Sequence, residues 1–398
     1  MSTSPPVSES LTAAAQGKGR ETGGYYLAFV ALGLVNASLG PTLPGLADQV
    51  GAPLNEISLL FTAGSLGYLA GSLLGGRALD RIQGHALMGG VLLLLALLMA
   101  LVPMAPWLGL LLGVMVLRGM AAGTVDVGGN TLLVWLYGPA VGPFMNGLHF
   151  CFGVGALVAP MIVAQSLRLS GDINWAYWIL AVLILPVALW ALHLPRPTEQ
   201  SRRDEDPSSH DSLWTVALIA VVLLFYVGAE ISMGGWIFTY GTATGFTNEA
   251  QAAYLTSLFY GVFTAGRLLS IPLVRRYSPA RMLIADWSGC LVSLGAMVLF
   301  GDVPGVLWLG TMGVGLSMAS VFPTMISYAE QRVAITGRVM GWFFVGASLG
   351  GMTLPWLIGQ VFEALGPQVT MPAILASIAL ATIVFGVLLV SARAPNSS

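Results

Sequence analysis

Charge is what this chain has least of. Asp, Glu, Lys and Arg make up 9% of its 398 residues, against 56% hydrophobic ones. A soluble chain carries roughly 25% charged residues to coat its surface, so a water-soluble enzyme is excluded. Lysine is almost missing: Lys18 stands alone, as expected where an ammonium group would have to enter hydrocarbon. A net charge of −2 offers no polybasic face, so nucleic acid is not an expected partner. Cys151 and Cys290, the two cysteines, lie inside apolar runs and indicate no disulfide framework. No phosphate-cradling Gly-Lys-Ser/Thr loop occurs, which excludes nucleotide hydrolysis as a power source. No His/Cys cluster has ligand spacing, so neither a metal nor an organic cofactor is expected. What is plentiful is glycine, fifty of them, a residue that membrane helices tolerate.

A helix that crosses a bilayer needs about 20 apolar residues. Twelve such stretches are present, at about 23–47, 55–76, 86–102, 107–136, 143–167, 174–194, 213–240, 250–273, 281–300, 305–329, 338–361 and 369–391. They are continuous rather than alternating over about ten residues, which excludes a β-barrel. Residues 1–22 are polar, lack the apolar core of a secretory signal and read as a disordered cytoplasmic tail. The long polar connection 195–212 reads as a cytoplasmic linker between a bundle at 23–194 and a bundle at 213–392, with a short cytoplasmic tail at 393–398. With both termini inside, thirteen Lys and Arg fall on the inner side and only Arg168 on the outer side, the bias expected of an inner (plasma) membrane protein.

The halves repeat. An offset of 195 lays Met145, Gly155, Pro160, Gln165 and Gly171 on Met340, Gly350, Pro355, Gln360 and Gly366. An offset of 194 lays Thr62, Gly67, Leu74, Leu79 and Arg81 on Thr256, Gly261, Leu268, Leu273 and Arg275. Two parallel repeats joined by a polar loop describe a rocking transporter whose site lies between the halves at mid-membrane. The expected fold is therefore an all-α membrane protein of twelve transmembrane helices in two six-helix bundles, acting as a monomer in the lipid bilayer.

Between the second and third spans stands Gly76-Arg77-Ala78-Leu79-Asp80-Arg81-Ile82-Gln83-Gly84-His85. It resembles the cytoplasmic loop motif of the major facilitator superfamily, with one extra residue before Gly84 and with His85 where Arg or Lys is usual. Asp80 can accept hydrogen bonds from a facing helix N-terminus while the arginines meet acidic groups, so Gly76, Asp80 and Arg81 are candidates for a latch on the inner face. Arg267 and Arg338 are further gate candidates.

Ionisable groups within spans are costly unless they pair or line water, and few are present: Arg118, Asp126, His149, Glu230, Arg267, and Asp286 near an inner end. Asp126 and Asn130 share a helical face, as do Asn146 and His149, and Tyr226, Glu230 and Gly234. Carboxylates, amides and imidazole bind hydroxyls, and rings stack on the apolar face of a sugar, so Trp236, Tyr260, Phe322 and Trp342 join the candidates. Packing explains such aromatics equally, and a structural ion pair with Arg118 or His149 is the other reading of Asp126.

The run Thr124 to Asn130 with Asn146 and Gly155-Ala156 looks like the fucose:proton symporter branch, where an acid precedes an Asn by four residues. Phe225 to Glu230 with Gly234-Gly235-Trp236, and Gly315 through Phe322-Pro323-Thr324, look like the sodium-dependent glucose transporter-like group. That resemblance implies a monosaccharide symporter driven by protons or sodium, with Asp126 as the coupling acid and Arg118, in a superfamily-like Arg118-Gly119 motif, tuning it. The symporters carry a second acid directly after an Asn of the first span, whereas here Ala37 follows Asn36, so Glu230 is the candidate for the missing carboxylate. The competing expectations are a proton-driven drug or metabolite exporter and a non-transporting solute sensor or assembly subunit.

Overall fold

A computed structural model describes residues 7–79, 81–137, 141–194, 213–274, 276–301, 303–333 and 337–391. The linker expected at 195–212, the tail at 393–398, Asp80 and the side chain of Arg338 lie outside the described residues. The described chain is helical, with no strand among the described residues. The first half comprises α1 (Val7–Asn36), α2 (Leu39–Val50), α3 (Leu54–Ile57), α4 (Leu59–Leu79), α5 (Gly84–Leu101), α6 (Leu108–Tyr137), α7 (Gly142–Ser170) and α8 (Asn174–Leu192). The second comprises α9 (Leu213–Ala243), α10 (Glu249–Val274), α11 (Pro279–Leu299), α12 (Pro304–Met318), α13 (Val321–Glu330), α14 (Gly337–Leu365) and α15 (Thr370–Ser391). Eleven of these segments are long and apolar enough to cross a membrane, and the bent pair α1–α2 makes twelve.

One boundary differs from the sequence reading. Residues up to 22 are expected as a disordered tail, yet α1 is helical from Val7. The stretch Leu11-Thr12-Ala13-Ala14-Ala15 favours helix, and the helix continues into contacts with the end of α6. There Lys18 Nζ donates to the Leu136 carbonyl at 3.2 Å, and the Thr22 and Tyr137 hydroxyls lie 2.8 Å apart.

The duplication is visible in the packing. In the first half α4 pairs with α6, α1 with α7 and α5 with α8; in the second α10 pairs with α12, α9 with α14 and α11 with α15. Glycine brings the backbones of one of these pairings into contact in both halves. A β-carbon on Gly155 would fall on the carbonyl of Val30 in α1, and one on Gly33 would fall on that of Phe152 in α7. The counterparts Gly350 and Gly228 meet α9 and α14 in the same way, at Leu224 and Gly350. Gly33 and Gly228 are themselves separated by 195 residues, the offset of Gly155 and Gly350. Without a hydrophobic drive between helices in lipid, such backbone approach is what holds them. We predict that Gly155→Val forces the backbones apart at a cost of about 3 kcal/mol or more, read as loss of the monodisperse peak in detergent chromatography.

Among the described residues two spans, one in each half, break at like sequences. The α1–α2 break bends the first by 46° and the α12–α13 break interrupts the tenth. The sequences are Ala37-Ser38-Leu39-Gly40-Pro41 and Ala319-Ser320-Val321-Phe322-Pro323. In each, the proline lacks the N–H owed to the alanine carbonyl four residues earlier and its ring crowds that carbonyl.

Among the described residues the hydrogen bonds between the halves gather at one end, while α7 and α10 also touch further along, where a β-carbon on Gly153 would fall on Thr264. At the bonded end Gly40 of α2 sits on the backbone of Gly234 and Gly235 in α9. The Leu54 N–H donates to Glu363 Oε1 at 2.6 Å, Gln360 Nε2 to the Asn55 carbonyl at 2.7 Å and Thr62 Oγ1 to the Met352 carbonyl at 3.0 Å. Gln165 of α7 donates to the Tyr254 hydroxyl of α10. Among the described residues no hydrogen bond links the halves at the opposite end, where Asn146, Trp342 and Phe344 are exposed.

Candidate functional site

Halfway along α6 the Asp126 carboxyl is held from two sides. Asn130, one turn on, donates from Nδ2 to Asp126 Oδ1 at 3.1 Å and to its carbonyl at 2.9 Å, as the shared helical face predicts. The other oxygen, Oδ2, accepts the Tyr68 hydroxyl of α4 at 2.6 Å. Sequence reasoning misses Tyr68, because only packing of α4 on α6 brings it there. The expected ion-pair partners are elsewhere. His149 presents a ring edge to Phe29, 5.8 Å between centroids.

Arg118 lies 6% exposed on α6 and donates from Nη1 to the Val35 carbonyl at 2.8 Å. The same carbonyl accepts from Ser38 Oγ at 2.8 Å. Arg118 thus binds the backbone released at the α1–α2 break. A guanidinium has several donors in a fixed fork and suits a carbonyl left over by a broken helix. Asn36 ends α1 beside this break and has no side-chain partner among the described residues.

The second half mirrors this arrangement. The Tyr226 hydroxyl of α9 donates to the Met318 carbonyl at 2.8 Å, a backbone oxygen at the α12–α13 break. Ser320, in that break, donates to Asp286 Oδ2 at 2.7 Å. Glu230 sits one turn beyond Tyr226, beside its hydroxyl and within electrostatic reach of Arg267. The Tyr260 hydroxyl of α10 packs against Gly234 and also lies near Glu230.

Arg267, a gate candidate by sequence, lies near groups from both halves. Long helical side chains lean back toward the N-terminus, so its guanidinium lies over the Phe263 ring one turn earlier, 4.4 Å from the centroid. It sits in the field of both Glu230 and His149, yet its Nε is buried without a hydrogen-bond partner. Among the described residues the one ion pair within 4.0 Å is His85 with Glu21 at 3.9 Å, so Glu230 and Arg267 interact without an ion pair at that distance.

The remaining candidates divide. Trp236 is 0% exposed, donates from Nε1 to the Pro355 carbonyl at 3.0 Å and stacks on Phe362 at 5.1 Å. It is locked into the closed end and leaves no face for a solute there. Phe322 packs near Phe344 at 6.4 Å between centroids, and Trp342 is 53% exposed toward the open end. Asn146 is exposed. Of the loop motif, Gly76 lies near Val127 and Arg81 is exposed, while the latch acid Asp80 is outside the described residues. The departure at His85 has a structural counterpart. Its Nε2 lies 2.6 Å from the Tyr25 hydroxyl and the ring is 1% exposed, so it pins α5 to α1 rather than facing the loop.

A family model described as the Major Facilitator Superfamily matches residues 25–355. The sodium-dependent glucose transporter 1A of Mus musculus is 33% identical over 372 residues, 84% of this chain and 88% of that protein. The sodium-dependent glucose transporter 1 of Homo sapiens is 32% identical over 371 residues, 83% of this chain and 71% of that one. Among solved structures, the nucleoside transporter NupG matches with a TM-score of 0.71 at 13% identity, over 95% of this chain and 99% of that one. A bacterial homolog of the human lysosomal transporter Spinster, in an inward-facing and occupied conformation, matches with a TM-score of 0.71 at 12% identity over 98% of each chain. At such identities the likeness to these two is one of fold.

Proposed function

Since this chain belongs to the major facilitator superfamily, we propose that it carries a monosaccharide across the membrane by alternating access, in symport with a cation. The observation that carries this reading is the pair of polar clusters at mid-depth. Asp126 with Tyr68 and Asn130 lies in one half, and Glu230 with Tyr226, Tyr260 and Arg267 in the other. With the arginine-rich side inward, the closed end is the outer one and the structure is the inward-facing state of the cycle.

Each cluster has its own task. A vicinal diol offers one hydroxyl to donate and its neighbour to accept, which suits the Glu230 carboxylate and the Arg267 guanidinium. Asp126 is the cation acid. The sodium dependence named for the mammalian relatives favours sodium, for which a carboxylate, the Asn130 amide and backbone carbonyls are suitable hard ligands. A proton loaded on the same carboxylate is the other coupling ion.

The test is uptake of labelled hexoses into proteoliposomes, with sodium and pH gradients imposed separately. Accumulation driven by one gradient is expected; uptake indifferent to both removes the coupling, and no uptake of any monosaccharide removes the substrate class. Replacing the diol-binding cation, Arg267→Gln, is expected to raise the sugar KM about tenfold or more, the worth of a hydrogen bond to a charged group, without moving the KM for the ion.

A further inference from the structure

Tyr68 performs a step in this cycle that no part of the sequence pattern assigns. From the bond at 2.6 Å between its hydroxyl and Asp126 Oδ2, we infer that Tyr68 is the release residue for the coupling cation, taking over a carboxylate oxygen when the inner side is open. This rests on the symport reading above.

The argument begins with the acid. Both its oxygens accept, Oδ2 from Tyr68 and Oδ1 from Asn130, so two protein donors hold the oxygens that a cation would have to reach. Neither Arg118, engaged at the Val35 carbonyl, nor His149, against Phe29, pairs with it. A hydroxyl donating to a carboxylate makes a short, charge-assisted bond of about twice the ordinary strength. A proton arriving at Oδ2 would force the phenol to reverse from donor to acceptor, and a sodium ion there would displace it. Tyr68 and the cation therefore compete for the same oxygen.

The position of Tyr68 on α4 makes the competition dependent on conformation. At 100° per residue, Ser58, Thr62 and Ser65 form one strip, and these touch Gly359, Met352 and Gly351 of α14 across the halves. Gly67 and Gly71 form a second strip, pressed on the Val116 and Met120 carbonyls of α6. Tyr68 lies on the edge between them. The second strip fixes its distance to Asp126, while the first, next to it on the helix, meets α14 in this state. When the outer end parts, that contact is withdrawn and the ring has room to leave the carboxylate to an incoming ion.

Tyr68→Phe keeps the ring and removes the competitor. In proteoliposomes the apparent KM for the coupling ion is expected to fall about tenfold and the maximal net uptake to fall by a similar factor, because the ion is held on the inside. Sugar exchange at saturating ion, which needs no ion release, should stay within about twofold of the unmodified protein. An ion KM that is unchanged or raised, or exchange that falls along with net uptake, overturns the inference. A measurement on the unaltered protein covers a variant that fails to fold. The infrared difference spectrum on adding sodium, or on lowering pH, is expected to show a tyrosine C–O band moving together with a carboxyl band that is absent in Asp126→Asn; a carboxyl change without the tyrosine band overturns it. If no sugar is transported but the coupled bands appear, the substrate reading fails and the competition stands.

Discussion

Asp126→Asn is expected to abolish ion-driven sugar accumulation and to leave exchange running. The amide keeps the volume of the carboxyl and can still accept the Tyr68 hydroxyl and meet Asn130, so the N-terminal half keeps its geometry. What it loses is the change of charge state. An unpaired carboxylate at this depth costs several kcal/mol, which penalises moving it through an occluded state unless a cation accompanies it; a permanently neutral side chain carries no such penalty. The variant therefore cycles with or without the ion, and the gradient no longer biases direction. In sodium- or pH-jumped proteoliposomes the inside-to-outside sugar ratio is expected to settle at about one, while vesicles preloaded with unlabelled sugar still take up label. Accumulation at the unmodified level would transfer the coupling role to Glu230, the other central acid, or to Asp286 at the α12–α13 break. Glu230→Gln separates these outcomes, since its first effect falls on the sugar KM if that carboxylate serves the diol.

Much of this was readable from one sequence because lipid makes the rules strict. A span must be long and apolar, so the twelve crossings and the six-plus-six division follow from hydropathy, and the packing partners repeat in the two halves as the 195-residue offset requires. Contacts within one helix were equally legible: Asp126 and Asn130 lie four residues apart and are bonded. Partners on different helices were not. Tyr68 reaches Asp126 only because the glycines of α4 let it press against α6. Arg118 finds a backbone carbonyl that exists as a free acceptor only because α1 breaks. For Trp236 the sequence leaves stacking on a solute and packing both open, because helical spacing cannot tell a cavity from an interface between halves; in the structure it bonds across to the Pro355 carbonyl. The breaks themselves left a trace, the Ala-Ser-x-x-Pro pattern present once in each half, and Arg118 and Tyr226 each bind a carbonyl beside one of them.

A cross-link at the closed end should stop transport outright and reversibly. A β-carbon on Gly351 of α14 would lie 3.4 Å from Ser65 Oγ of α4, so the two side chains are direct neighbours across the halves, as a disulfide, whose β-carbons lie about 3.5–4.5 Å apart, requires. The flexible end of Ile231 is the nearest obstacle. With Cys151 and Cys290 replaced, Ser65→Cys with Gly351→Cys is expected to oxidise readily in this state. The bond ties the halves together one turn from Thr62 and Met352, which already touch. If the cycle requires that end to part, both net uptake and exchange should fall to about the level of empty vesicles and return on reduction, since each needs the site to face outward once per turnover. The open end should be unaffected: a cysteine at Asn146, exposed in this structure, should react with an impermeant maleimide from the inner side at the same rate before and after oxidation. Exchange that persists in the oxidised protein would mean the contacts of Leu54, Asn55 and Thr62 with α14 survive the transport cycle. The opening would then have to occur along α7 and α10, where Gln165 meets Tyr254, and the same cross-link moved to that pair would become the one that stops the cycle.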